Sequence, residues 1–307
     1  MRSSRTGTVA AILVAGAALI LGADRADRAD EAAVHYNLGL QLKRDGKVVE
    51  AIAEVEKAIA ARPSYAAAHL TLGNLWRGQG NNEKAAAAYE KAVKLEPNDA
   101  TARANLGAAY TRLKRVDEGI AELEKAVEIA PNDYETRVTL GFAFRQKADY
   151  KQAITHLTKA TEIHPSEKSA WTNLGVAKLK ADDKAGAIVA FKRALALNPN
   201  DGDLHFNLAT VYRRQRETDQ AIGEYELAIK HNPRLAKAYY DLGILYAQDR
   251  RAEDAANAFR KYLEYGTSED APSRKDAEER LKSLEMGAGK GQKAKGAKGA
   301  QNSKDSK

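Results

Sequence analysis

Six of the seven prolines fall at Pro63, Pro97, Pro131, Pro165, Pro199 and Pro233, each 34 residues after the one before. A spacing this regular means the chain repeats one supersecondary unit instead of building a single irregular core. With proline as position 32, the units run 32–65, 66–99, 100–133, 134–167, 168–201, 202–235 and 236–269. Position 7 is then leucine in all seven, from Leu38 to Leu242. Position 8 is glycine except at Ala209. Position 20 is alanine except at Gly119, and position 27 is alanine except at Tyr262. Position 24 is always large and apolar: Val55, Tyr89, Leu123, Leu157, Phe191, Tyr225 and Phe259.

Within each unit apolar residues recur at helical spacing, at positions 4, 7, 8 and 11 and again at 20, 21, 24, 27 and 28. That pattern predicts two helices, A and B, and no stretch alternates with the period of a strand. Small residues at 8, 20 and 27 let the two backbones approach, and the large residues at 11 and 24 fill the space beside them. Proline at 32 cannot continue helix B and sets the turn into the next unit.

These residues resemble the tetratricopeptide repeat (TPR) family, over residues 32–269. Trp171-x-x-Leu174-Gly175 and Tyr239-x-x-Leu242-Gly243-x-x-Tyr246 match its motif closely. The resemblance implies an all-α, right-handed superhelical solenoid of helix-turn-helix units. Departures are His35, Arg103 and Arg137 at position 4, Lys178 at position 11, and Thr267 in place of the seventh proline. Residues 270–286 read as one further helix with Ala277, Leu281 and Leu284 on a single face, a polar cap for the last repeat. From Gly287 to Lys307 the chain is rich in Lys, Gly and Ala without aliphatic bulk, so disorder is expected.

The N-terminal residues 1–23 show Arg2 and Arg5, an apolar run from Val9 to Leu21, and then a charged linker over 24–31. This is the layout of an export signal. The run falls short of the ~20 residues that span a bilayer comfortably. Leu21 is large for a cleavage site after Ala23, so an uncleaved membrane anchor is the alternative. The expected location is therefore beyond the bacterial inner membrane, in the periplasm or anchored facing it.

The net charge of +7 invites a nucleic-acid reading, but its distribution argues against one. Of 49 Lys and Arg, two precede residue 23 and six follow 286; of 42 acids, one follows 286. The body between is balanced, so nucleic acid is not the expected partner. The absence of cysteine excludes disulfides, thiolate metal sites and a cysteine nucleophile. The six histidines form no helical metal pair, and those at position 4 read as packing residues. No phosphate loop is built around Lys290, and Asp182-Asp183 reads as a helix cap. The chain is thus expected to be non-catalytic, with no cofactor and no metal.

The resemblance further implies that ligands contact helix A, at positions 2, 5, 6, 9, 12 and 13. Position 6 carries Asn37, Asn105, Asn173 and Asn207, with Thr71, Thr139 and Asp241 in the remaining units. Amides both donate to and accept from a peptide backbone, as in the asparagine ladder of related glycosyltransferase superhelices. Positions 12 and 13 carry Lys43, Arg44, Arg77, Arg112, Arg145, Lys180, Arg213 and Arg214 and no acid. Cations there also gain from the helix dipole, ~0.3–1 kcal/mol each. Tyr36, Phe142, Phe206 and Tyr240 offer apolar contacts beside these rows. The resemblance does not extend to the carboxylate clamp of the chaperone-binding members, which needs Lys and Asn at positions 5 and 9: those are Tyr36 and Leu40 in the first repeat, and Leu70 and Asn74 in the second. The expected function is a scaffold or adaptor for a protein or extended peptide, in a bacterial envelope assembly. The alternatives are binding of an anionic surface or nucleic acid by the basic tail, or service as the repeat subunit of an enzyme complex.

Overall fold

A computed structural model describes residues 28–267 and 271–302, the side chains of 287–302 excepted. The N-terminal segment and the last five residues, where an export signal and part of the basic tail are expected, lie outside it. Every element among the described residues is helical: α1 (28–44), α2 (Val48–Ala61), α3 (Ala66–Gly78), α4 (Asn82–Leu95), α5 (Ala100–Arg112), α6 (Val116–Ile129), α7 (Tyr134–Gln146), α8 (Tyr150–Ile163), α9 (Lys168–Lys180), α10 (Lys184–Leu197), α11 (Gly202–Gln215), α12 (Thr218–His231), α13 (Ala236–Gln248), α14 (Ala252–Tyr265) and α15 (Ala271–Asn302). Odd-numbered helices through α13 are helix A of successive units, and even-numbered ones are helix B. Two compact units divide within α8, one ending at His156 and the other beginning at Leu157.

The same contacts recur in both units. All seven position-24 side chains are fully buried. In the first, second, third, fifth and seventh repeats the position-24 side chain faces the position-8 glycine of its own helix A, and there the glycine has a steric reason. A Cβ on Gly175 would stand 2.6 Å from the Phe191 ring, and one on Gly107 would stand 2.7 Å from the Gly119 carbonyl oxygen. The leucines at position 7 are buried from Leu106 onward, whereas Leu38 is 41% exposed because no described helix precedes α1.

Position 15, in the turn between helices A and B, is left-handed in every repeat. Gly46 and Gly80 adopt this conformation readily, but Lys114, Ala148, Asp182, Arg216 and Arg250 hold it with φ between 61° and 65°. Of the Asp182-Asp183 pair, Asp182 is thus the turn residue, and Asp183 caps α10 by accepting from Gly186 N.

Position 4 does more than pack. His69, Arg103, Arg137, Trp171, His205 and Tyr239 each hydrogen-bond the carbonyl oxygen of the proline six residues earlier, at 2.6–3.2 Å. Proline leaves that oxygen at the end of helix B, and any side chain with an N–H or O–H donor can close the turn. The apparent departures His and Arg therefore serve as Trp and Tyr do. Where position 4 is His35, Arg103 or His205, a glutamate at position 23 accepts from it as well: Glu54, Glu122 and Glu224. In the fourth repeat His156 fills that place, stacked on Phe144, and burial together with Arg137 pulls its imidazole below the ordinary value.

Helix α15 caps the seventh repeat. Ala277 is fully buried, Leu281 and Leu284 pack beside it, and Arg274 donates to the Leu263 carbonyl of α14. Its backbone stays helical to Asn302, past residue 286, where the sequence favours disorder. Ala, Lys and Gln are good helix formers and carry the backbone on between the glycines.

Candidate functional site

The helix-A rows lie on one face of each repeat, and hydrogen bonds within the helix and between repeats have already engaged part of them. In the first unit Asn37 is exposed, while Thr71 is buried with its hydroxyl 3.1 Å from that of Tyr36. Asn105 accepts from Arg77 at 3.2 Å, and the Thr139 hydroxyl donates to the Glu135 carbonyl of its own helix. In the second unit the Asn173 amide donates to the Ser169 carbonyl, also within its helix. Asn173 and Asn207 share an open hollow of about 310 Å³ with Ser169, Thr172 and the ion pair Lys168–Asp201. The position-6 row is thus a set of partly satisfied groups and not an uncommitted ladder.

Cations at positions 12 and 13 are mostly exposed: Lys43, Arg44, Arg77, Arg112, Lys180, Arg213 and Arg214. Arg145 is half-buried over the Phe142 ring at 5.6 Å, and burial lowers its guanidinium from the ordinary value. Phe142 itself remains 41% exposed, an aromatic surface beside a cation. Phe206 leans on the Tyr225 ring at 5.6 Å. The Tyr240 hydroxyl donates to Asp276 of the cap helix, and burial followed by that bond pushes it up to about 12.

Two junctions between repeats share a construction that sequence patterns missed. Between the sixth and seventh repeats the buried Tyr225 hydroxyl donates to Asp241 at 2.9 Å, and Arg213 stands 3.8 Å from the same carboxylate. Asp241 is 9% exposed, and burial raises its carboxyl despite the opposing pull of Arg213 and the tyrosine bond. Burial likewise raises Tyr225, reinforced by the Asp241 charge. Between the second and third repeats the buried Tyr89 hydroxyl donates instead to Asn74, and Arg77 reaches Asn105. The recurring signal is tyrosine at position 24 with arginine at position 12, residues that a period-based reading assigns to separate rows.

With the repeat geometry in place, comparison with known proteins is direct. The tetratricopeptide repeat profile matches residues 36–82, 70–134, 138–202 and 206–272. The chain belongs to the tetratricopeptide repeat family. Among solved structures it is similar to MamA, with 30% identity over 55% of this chain and 92% of that one, at a TM-score of 0.51. A tetratricopeptide repeat protein from Parabacteroides merdae shares the fold at 19% identity, over 84% of this chain and 99% of that one, with a TM-score of 0.61. YrrB, a TPR protein with an unusual peptide-binding site, shares it at 23% identity over 60% of this chain and 95% of its own, with a TM-score of 0.53. The comparison with curated proteins gives no significant match.

Among the described residues no three His, Asp or Glu gather as a metal site, and no helix is long and apolar enough to cross a membrane. The apolar run from Val9 to Leu21 lies outside them.

Proposed function

We propose that this protein is a non-catalytic scaffold whose helix-A face holds an extended segment of a partner protein, with a preference for acidic segments. The observation that carries this reading is the pairing of rows on that face. Positions 12 and 13 present cations and no acid, beside the amides Asn37 and Asn207 and the exposed ring of Phe142. A backbone engages amides, a carboxylate engages guanidinium and ammonium groups, and an apolar side chain engages the ring. The fold itself is a general platform, so the partner is set by these side chains.

The reading extends to location. An export signal or anchor in residues 1–23 would put the repeats in the periplasm, in an envelope assembly. The test is the affinity of a rhodamine-labelled acidic peptide for the native chain and for a Phe142→Ala, Asn207→Ala variant. Weaker binding by the variant, and weaker binding as salt rises, are expected. Unchanged affinity in both comparisons would overturn the groove reading. Deleting 287–307 is expected to leave this affinity intact; its loss would favour the basic tail as the binding element.

A further inference from the structure

The two Tyr–Arg junctions differ in one respect that identifies a ligand. In the sixth-to-seventh junction, Tyr225 and Arg213 enclose a carboxylate supplied by the chain itself, Asp241. In the second-to-third junction the equivalent residues are Tyr89 and Arg77, but the acid is replaced by the amide of Asn105. A second guanidinium, Arg112, is added at a place where the seventh repeat has Gln248. The result is a hollow of about 370 Å³, lined by Asn74, Arg77, Gly78, Gly80, Asn82 and Arg112, without a carboxylate.

We propose that this hollow is a carboxylate-binding site for the partner, taking either an acidic side chain or a C-terminus. Its donors are fixed in advance. Tyr89 donates to Oδ1 of Asn74 at 2.9 Å, which leaves the amide N–H groups of Asn74 to serve a ligand. Arg77 is tethered at 3.2 Å to the Asn105 carbonyl oxygen, a neutral acceptor that leaves its charge uncompensated. Both guanidiniums act electrostatically on the Tyr89 hydroxyl, so they converge on one region. Two arginines in an open hollow favour a carboxylate more than the single arginine at buried Asp241, where desolvation opposes the charge. The site shares Asn74 at position 9 and Asn105 at position 6 with the chaperone-type clamp, but its cations, Arg77 and Arg112, stand at positions 12 and 13, where the clamp has none.

This inference rests on the groove reading, and the experiment separates the two. Two rhodamine-labelled peptides are titrated against the full chain at low salt. One is rich in glutamate with an amidated C-terminus; the other is uncharged along its length with a free C-terminal carboxylate. Arg77→Gln and Arg112→Gln are each expected to weaken binding roughly tenfold, the effect of one lost charge-assisted hydrogen bond. Asn105→Asp rebuilds the self-filled junction and is expected to weaken binding at least as much while keeping the helical circular dichroism. The peptide that responds tells a side-chain carboxylate from a terminal one. Unchanged affinity in all three variants, or no binding of either peptide by the native chain, overturns the proposal. If those variants bind as the native chain does while Phe142→Ala with Asn207→Ala weakens binding, the groove reading stands and this site falls. The reverse pattern keeps the site and removes the groove.

Discussion

The third and sixth repeats close the same turn with different chemistry. In the third, Arg103 donates through Nε to the Pro97 carbonyl and through Nη1 to Glu122. In the sixth, the two ring nitrogens of His205 face the Pro199 carbonyl at 3.0 Å and Glu224 at 2.7 Å. Arginine has donors for both acceptors at any pH, whereas imidazole donates to both only when doubly protonated. The packing differs too. The third repeat puts glycine at positions 8 and 20, so its helices touch backbone to backbone, with the Thr111 hydroxyl donating to the Gly107 carbonyl. The sixth has Ala209 and Ala221 there, both fully buried, as is Tyr225. One repeat geometry thus admits two solutions that differ in donor number and in side-chain volume.

The strongest way to break this equivalence is at position 8. Gly107→Ala is expected to destabilise by about 2 kcal/mol, because the new methyl meets the immobile Gly119 carbonyl as well as Leu123. Ala209→Gly should lose only about 1 kcal/mol, from helix propensity. Urea titration of the two variants checks the order, and equal effects would show that the close approach is not limiting.

Next come the position-4 clips. Arg103→Leu and His205→Leu each take a donor from a proline carbonyl and from a half-buried glutamate, of which Glu122 keeps Lys125 as a partner, for an expected loss of roughly 1–3 kcal/mol. His205→Arg should recover most of that loss, since Arg103 already makes both bonds in the third repeat; urea midpoints of the three variants decide it.

A smaller effect concerns Asp241, which the seventh repeat places against the sixth and whose folded carboxyl lies above its ordinary value of 3.8 through burial, against the pull of Arg213 and Tyr225. The folded chain then holds a proton that the unfolded chain has released. Its stabilising effect is present at low pH and is lost as pH rises from 3.8 through the folded value. Asp241→Asn keeps an acceptor for Tyr225 and removes this dependence. Thermal unfolding of the two chains across acid pH should therefore show the variant gaining on the native protein as pH rises, then a constant difference. The third repeat has Thr111 at the position of Arg213 and no buried acid among its described bonds, so Thr111→Val should leave the acid-pH profile unchanged.

The smallest expected effect tests what the two repeats share. Lys114 and Arg216 both hold left-handed turns, with φ of 65° and 64°. Lys114→Gly and Arg216→Gly should each stabilise by about 0.5 kcal/mol, the left-handed strain relieved less the added freedom of the unfolded glycine. Unequal gains in thermal midpoint would show that the turns are strained differently.

Much of this was legible from residue order. Proline at 34-residue intervals, Leu-Gly at positions 7 and 8 and a bulky residue at 24 dictate paired helices, and the seven position-24 side chains are all buried. The role of position 4 was legible only in retrospect. His69, Arg103, Arg137, Trp171, His205 and Tyr239 look unlike one another on a hydrophobicity scale, yet each carries an N–H or O–H donor. A reading based on apolar period sorts them as packing residues and exceptions, and does not ask which carbonyl they must satisfy.

What the sequence by itself determined is the unit: its length, its two helices, its close-packed glycine and its cap, all set by local propensity and by steric needs repeated at fixed spacing. Which polar groups stay free for a partner was decided only in the folded protein. Asn105 is tied to Arg77, Asn173 to Ser169, and Asp241 to Tyr225, whereas Asn37 faces solvent. The same amide or acid at the same position is engaged or open according to what its own helix or the neighbouring repeat brings within about 3 Å, a distance at which hydrogen bonds form and which no periodicity encodes.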